Sequence, residues 1–295
     1  MRILRQYAML SKRLFLSPFI WKAGSSRFLC SRADGKFLQT TKNSAGGFVV
    51  VKMQRPPANG LNLDFLTELT ILLEKLEDDH SCRGMILTSS LPGIFSAGID
   101  MSELTLSENH GPEHVTAFWQ ALQIFIINLY KTHLVTIATI TGHAPAGGCL
   151  LSLVCDYRIM AAGNYTIGIS AVRAGLFPPA WIQLLLADTI GRRQAELSVL
   201  QGKLYSPQEA LKLGLVDKVV PETELQPAAE SELRDWLQVP DAARILTKSN
   251  LRRKLLQTFQ HNREREVEDI TRFVQTDSFQ NNLKEFMRNL KNRSR

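Results

Sequence analysis

Two short glycine loops constrain this chain more than any other feature. Phe95-Ser96-Ala97-Gly98-Ile99-Asp100 and Pro145-Ala146-Gly147-Gly148-Cys149-Leu150 each follow a β-branched, strand-like run, Gly84 to Thr88 and Leu134 to Ile140, and each leads into helix-like sequence. A chain that passes from strand to helix through small residues aims unpaired backbone N–H groups off the helix N-terminus. Two such loops side by side can form an oxyanion hole, because a carbonyl oxygen can approach main chain where no side chain intervenes. Alone, Gly147-Gly148 would equally serve close packing of a strand on a helix. The first loop favours the chemical reading.

The loops sit in an alternation of strand and helix signals that argues for an α/β fold. Phe48 to Lys52 reads as a strand. Leu61 to Asp79 reads as an amphipathic helix with Phe65, Leu66, Leu69, Leu72, Leu73 and Leu76 on one face and Asn62 as its N-cap. A strand through Ile86, a helix from Pro112 to Lys131 and a strand through Ile137 follow. After Val220-Pro221 the strand signals stop. The rest reads as helical, ending in a helix capped by Asp277 with Phe279, Leu283, Phe286, Met287 and Leu290 on one face. A stripe that broad needs a surface to pack on, in a neighbouring subunit or within the chain.

The formal charge of +7 suggests nucleic acid until its placement is considered. Residues 1–44 carry nine Lys/Arg against the single acid Asp34, a net of +8, which leaves −1 on everything after them. That basic, serine-containing, acid-poor segment has the composition of a mitochondrial transit peptide, which implies the matrix, with a disordered basic tail as the alternative. Arg252-Arg253-Lys254, with Glu264, Glu266, Glu268 and Asp269 close behind, reads as a mixed-charge helical face and not as an RNA patch. No stretch is long and apolar enough for a membrane span. Cys30, Cys82, Cys149 and Cys155 form neither a CxxC pair nor a cluster with histidines, so neither a metal site nor a disulfide framework is expected.

In this order and spacing, the two loops resemble those of the crotonase (enoyl-CoA hydratase/isomerase) superfamily. Their wording is closest to the mitochondrial Δ3,Δ2-enoyl-CoA isomerases of fatty-acid oxidation. The likeness runs from about Gly47 to the C-terminus, through Arg55-Pro56-Pro57-Ala58-Asn59-Gly60-Leu61, Phe65-Leu66-Thr67-Glu68-Leu69, Cys155-Asp156-Tyr157-Arg158-Ile159 and Leu213-Gly214-Leu215-Val216-Asp217. The resemblance implies a spiral of ββα turns over 45–225, after a presequence and disordered linker over 1–44. It also implies a helical trimerisation region over 226–295 that closes part of a neighbour's CoA site. The expected assembly is a homotrimer, with mixed trimers alongside active paralogues a further option. Acyl-CoA or enoyl-CoA is the expected ligand, and no separate cofactor is called for.

By the same resemblance, the oxyanion donors map to the backbone N–H groups of Ile99 and Gly147. The segments at Pro57, Ala58 and Ser96, Ala97, Gly98 would hold the adenine and pantetheine portions of CoA, and Lys248 would approach its phosphates. In the isomerases one carboxylate carries the proton from C2 to C4, in a segment of the form Ile-Gly-Leu-Asn-Glu-Thr-x-x-Gly. Here the segment is Ile167-Gly168-Ile169-Ser170-Ala171-Val172-Arg173-Ala174-Gly175, with Ala171 at the place of the glutamate. No Asp or Glu lies between Asp156 and Asp188, so a slip of register does not restore the acid. The second hydratase glutamate maps to Leu150, which argues for isomerase ancestry. Replacement groups to weigh are Asp100, Glu103, Ser170 and His143, of which Asp100 reads better as a helix cap or structural partner; Arg173 is a cation beside the vacant place, suited to an anionic acyl group or to a surface salt bridge. Three readings follow: an isomerase with a replacement base, a disabled homologue that binds acyl-CoA or joins active trimers, and another oxyanion-hole chemistry.

Overall fold

The computed structural model describes residues 35–107 and 110–293. The transit-peptide reading of residues 1–34 lies outside them. Strands β1 (Leu38–Asn43), β2 (Phe48–Met53) and β3 (Gly84–Ser89) begin the main sheet, with helix α1 (Leu63–Asp78) between β2 and β3. Asn62 caps α1 by accepting from Phe65 N at 3.0 Å, as the sequence leads one to expect. β1 corrects the boundary at residue 45. Leu38 is buried and the strand pairs antiparallel with β2 across its whole length, so the folded body starts before that point.

From β3 onward the chain alternates between two sheets. β4 (Gly93–Ile94) starts a small sheet, helix α2 (Pro112–Lys131) returns the chain to β5 (Val135–Ile140), and β6 (Gly142–Pro145) rejoins the small sheet. Helix α3 (Gly147–Leu153), β7 (Tyr157–Ala161) and β8 (Ile167–Gly168) repeat the pattern. Helices α4 (Ala180–Ile190), α5 (Arg192–Gln201) and α6 (Pro207–Leu213) lead to β9 (Lys218–Val220). The main sheet has the order β1-β2-β3-β5-β7-β9, parallel after the first pair, and the small sheet is a parallel β4-β6-β8. This is a spiral of ββα turns. Every residue of β3 and β5 is buried, as befits parallel strands covered on both faces.

Helix α7 (Leu225–Gln238) covers one face of the main sheet, packing Leu225, Ala229, Leu233 and Leu237 on Val50, Ile86, Ile137 and Ile159. The alternate residues, among them Val49, Val51, Met85, Leu87, Ala138 and Ile140, join the larger core on the other face. Helix α8 (Asp241–Val274) is anchored to the sheet through Asp156, whose side chain is 4% exposed. One Asp156 oxygen accepts from Thr136 N at 2.9 Å and Lys248 Nζ at 2.7 Å; the other accepts from Arg252 at 2.7 Å.

The last helix, α9 (Asp277–Arg293), starts one residue differently from the sequence reading. Thr276 Oγ1 accepts from Phe279 N at 3.3 Å, so Thr276 supplies the cap and Asp277 lies in the first turn, where its charge suits the helix dipole. Its apolar stripe is used within the chain: Phe279 and Leu283 are buried in the core, and Phe286, Met287 and Leu290 line a cavity. Among the described residues no helix is long and apolar enough to cross a membrane.

Candidate active site

The two glycine loops meet at the ends of the short strands β4 and β6. In the first loop, Leu61 forms an isolated parallel bridge with Ile99: Leu61 N donates to Gly98 O at 2.7 Å and Asp100 N donates to Leu61 O at 2.9 Å. In such a bridge the intervening residue turns its own N–H the opposite way. In the second loop, Ala146 takes φ +50°, a strained value for a residue with a Cβ, held by donation from its N to Gly168 O at 2.7 Å. Gly147 then opens α3, where the first N–H has no partner within the helix. Neither the Ile99 nor the Gly147 N–H meets an acceptor among the described residues.

The two donors are neighbours. A Cβ on Gly147 would lie 3.1 Å from Ile99 N, and one on Gly98 would lie 2.7 Å from Gly147 N. Gly98 also has φ +90°, so conformation and space both call for glycine there. A Cβ on Gly148 would sit 2.1 Å from Ser96 O, so this glycine serves the close approach of helix to loop.

Both donors face a cavity of about 480 Å³. Of the residues singled out in the sequence, Pro57, Ala58, Ala97, Ile99, Gly147, Leu150, Ser170 and Ala171 line it. Trp119, Leu122, Ile169, Ile182, Phe286 and Met287 make the rest of its wall strongly apolar. Ser96 and Gly98 stand behind the lining; Ser96 is fully buried, and its Oγ donates to Asn59 O at 2.8 Å. Lys248 is not brought to this cavity. Its ammonium is tied to Asp156 and to Leu134 O at 2.9 Å, and burial is the main cause that brings its pKa down to about 8.

Of the candidate replacement bases, Ser170 lines the cavity but has no base beside it among the described residues, and the others are engaged elsewhere. Among the described residues lining the cavity, Asp100 is the one carboxylate. Its Oδ2 meets Arg55 at 2.7 Å and its Oδ1 accepts from Ser102 N at 3.2 Å and Ser102 Oγ at 2.6 Å. Burial opposes its charge, but the Ser102 and Arg55 hydrogen bonds prevail and hold the carboxyl below its ordinary range, which makes it a poor base. Glu103 is buried off the cavity, accepting from Leu63 N at 3.3 Å and contacting His114 Nε2 at 3.0 Å. His143 Nδ1 accepts from Thr166 N at 3.1 Å, outside the lining. Arg173 is exposed and donates to Gln201 O at 3.4 Å.

Sequence reasoning missed the contribution of α9 to the cavity wall and the burial of Asn59 behind the first loop. Asn59 lies in the Arg55–Leu61 segment, where an amide in a loop signals no chemistry. Its tolerance of positive φ was the available clue.

The two-sheet spiral, with a pair of unengaged main-chain N–H groups over an apolar cavity, defines a protein whose architecture suits polarising a carbonyl group held at the end of an acyl chain. The enoyl-CoA hydratase/isomerase family model matches residues 43–293, and the chain belongs to this family. It is 43% identical over 261 residues to the mitochondrial enoyl-CoA delta isomerase 1 of Rattus norvegicus, covering 88% of this chain and 89% of that protein. Against the Homo sapiens protein of the same name it is 42% identical over 250 residues, covering 84% and 82%. The crystal structure of human mitochondrial Δ3,Δ2-enoyl-CoA isomerase superposes with a TM-score of 0.85 at 41% identity, over 88% of this chain and 99% of that one.

Proposed function

We propose that this chain is a mitochondrial member of the enoyl-CoA isomerase group of fatty-acid β-oxidation that binds acyl-CoA and enoyl-CoA thioesters but transfers protons poorly. The relatives named above support the substrate class and the compartment. One observation carries the mechanism: two unengaged N–H groups face a cavity where Asp100, the one lining carboxylate among the described residues, is already bound on both oxygens. The thioester oxygen would lie between Ile99 N and Gly147 N, which stabilise the charge of an enolate, and the acyl chain would follow the apolar wall toward Phe286 and Met287. Pro57, Ala58 and Ala97 line the same cavity and suit the pantetheine arm.

Ala171 lines the cavity where the resemblance places the proton-carrying glutamate. A positioned acid/base group contributes about 10²–10⁴-fold, and an oxyanion donor roughly 10²–10³-fold. Loss of the first alone leaves slow enolisation and intact binding. Residence in the matrix and assembly into trimers, alone or with active paralogues, belong to the same reading. The test is calorimetry with a medium-chain acyl-CoA on the unaltered chain and on Ala171→Trp, which fills the cavity next to the donors. Binding by the first and not the second is the expected result; no binding by the unaltered chain overturns the reading.

A further inference from the structure

We propose that Asn59 and Ser96 are positioning residues for the carbonyl site: a buried relay from Asn59 through Ser96 to Gly98 sets the direction of the Ile99 N–H. Acyl-CoA serves as the probe, which rests on the function proposed above.

Asn59 is 0% exposed and takes φ +49°, which puts a left-handed residue in the wall directly behind the first glycine loop. Its side chain is fully used. Oδ1 accepts from Arg55 N at 2.8 Å, while Nδ2 donates to Ser89 Oγ at 2.8 Å and to Phe95 O at 2.9 Å. Its carbonyl accepts from Ser96 Oγ at 2.8 Å, and that oxygen in turn accepts from Gly98 N at 3.2 Å.

Around this relay the segment from Arg55 to Leu61 holds the loop at almost every step. Ala97 N donates to Ala58 O at 2.9 Å, and Leu61 binds Gly98 O and Asp100 N. The Arg55 guanidinium joins Gly60 O at 2.8 Å to Asp100 Oδ2 at 2.7 Å. Each residue from Phe95 to Asp100 thus has a main-chain or side-chain polar atom tied to the segment except Ile99, whose N–H is turned to the cavity. A donor is useful in an oxyanion hole when its direction is fixed before the charge appears. The Asn59 and Ser96 hydrogen bonds converge on the loop that carries the donor, and neither residue lines the cavity, which is the arrangement of a support.

The test uses the full-length chain saturated with an acyl-CoA carrying ¹³C at the thioester carbonyl, reading the carbonyl ¹³C shift and C=O stretching frequency against the free ligand. Bound to the unaltered chain, the carbonyl should move in the direction of stronger polarisation. Ser96→Ala, which removes one buried oxygen and keeps the Cβ, should lose more than half of that displacement while its dissociation constant rises less than about threefold, as the acyl chain supplies most of the contact. Asn59→Ala should lose at least as much; should it not fold, Ser96→Ala decides. Asp79→Ala, which removes a polar anchor outside the clamp (Lys42 at 2.7 Å), should keep the full displacement, separating positioning from general loosening. Full displacement in Ser96→Ala, or equal loss in Asp79→Ala, overturns the proposal. No bound signal from the unaltered chain overturns the acyl-CoA reading and the positioning role together, and calorimetry identifies that case.

Discussion

Gly98→Ala gives the sharpest test of the site's geometry. The new methyl would stand 2.7 Å from Gly147 N, 3.1 Å from Pro145 O and 3.3 Å from Ala146 Cβ, so the two loops must part for it to fit. The residue also has φ +90°, which costs a residue with a Cβ about 1–2 kcal/mol. Gly191 separates the two effects. It has φ +82° and nothing within 4 Å of an added Cβ, so Gly191→Ala introduces comparable backbone strain without the contact. Gly191→Ala should lose about 1–3 kcal/mol of stability from backbone strain alone, and Gly98→Ala should lose more, because the contact with Gly147 N and Pro145 O adds to the strain. Only Gly98→Ala should also weaken ligand. Disturbing two hydrogen bonds worth about 0.5–1.5 kcal/mol each predicts roughly fivefold to 150-fold weaker acyl-CoA binding by calorimetry. Equal affinity in Gly98→Ala and the unaltered chain would refute the placement of the carbonyl between the loops.

Further outcomes follow from the same structure. Asp156→Asn leaves Lys248 and Arg252 without their shared carboxylate and should cost about 3–5 kcal/mol, read by urea denaturation. Burial pushes the Cys149 and Cys155 thiols up to about 12 from 9.0, so the folded chain favours the neutral thiol. Their contribution to stability is complete below pH 9 and is lost as pH rises through 12; at pH 8, iodoacetamide should label both only after denaturation. Phe286→Ala should weaken binding of a long-chain acyl-CoA at least tenfold more than that of acetyl-CoA, because Phe286 lies on the apolar wall and not at the donors.

Several parts of this architecture are legible in the sequence because local chemistry dictates them. Gly147 stands between a β-branched run and a helical segment and opens α3, and Asn62 begins an apolar 3.6-residue repeat and caps α1. The first loop differs from its expectation: β4 precedes it, a single 3-10 turn, Met101–Leu104, follows it, and the Ile99 N–H is freed by the bridge to Leu61. Helix α2 runs from Pro112 to Lys131, with proline at its start where a missing N–H costs nothing. What was not legible depends on distant partners. β1 reads as part of a polar basic tail, because an edge strand with one buried anchor, Leu38, shows little pattern until β2 pairs with it. Lys248 looks like a phosphate ligand until the fold places Asp156 beside it. The stripe on α9 announces burial without naming the surface: Phe279 and Leu283 enter this chain's own core, Phe286 and Met287 line the cavity, and Leu290 stays 47% exposed.

On the proposed function, this chain holds and polarises a CoA thioester and lacks the group that moves the proton. The most direct measurement is isomerase turnover on a 3-enoyl-CoA by the unaltered chain beside Ala171→Glu, at saturating substrate. On that reading the rate should be at least about 10²-fold higher in Ala171→Glu. An unaltered chain that turns over as fast as the variant, at an ordinary enzyme rate of about 1–10³ per second, would contradict it and show that another residue carries the proton.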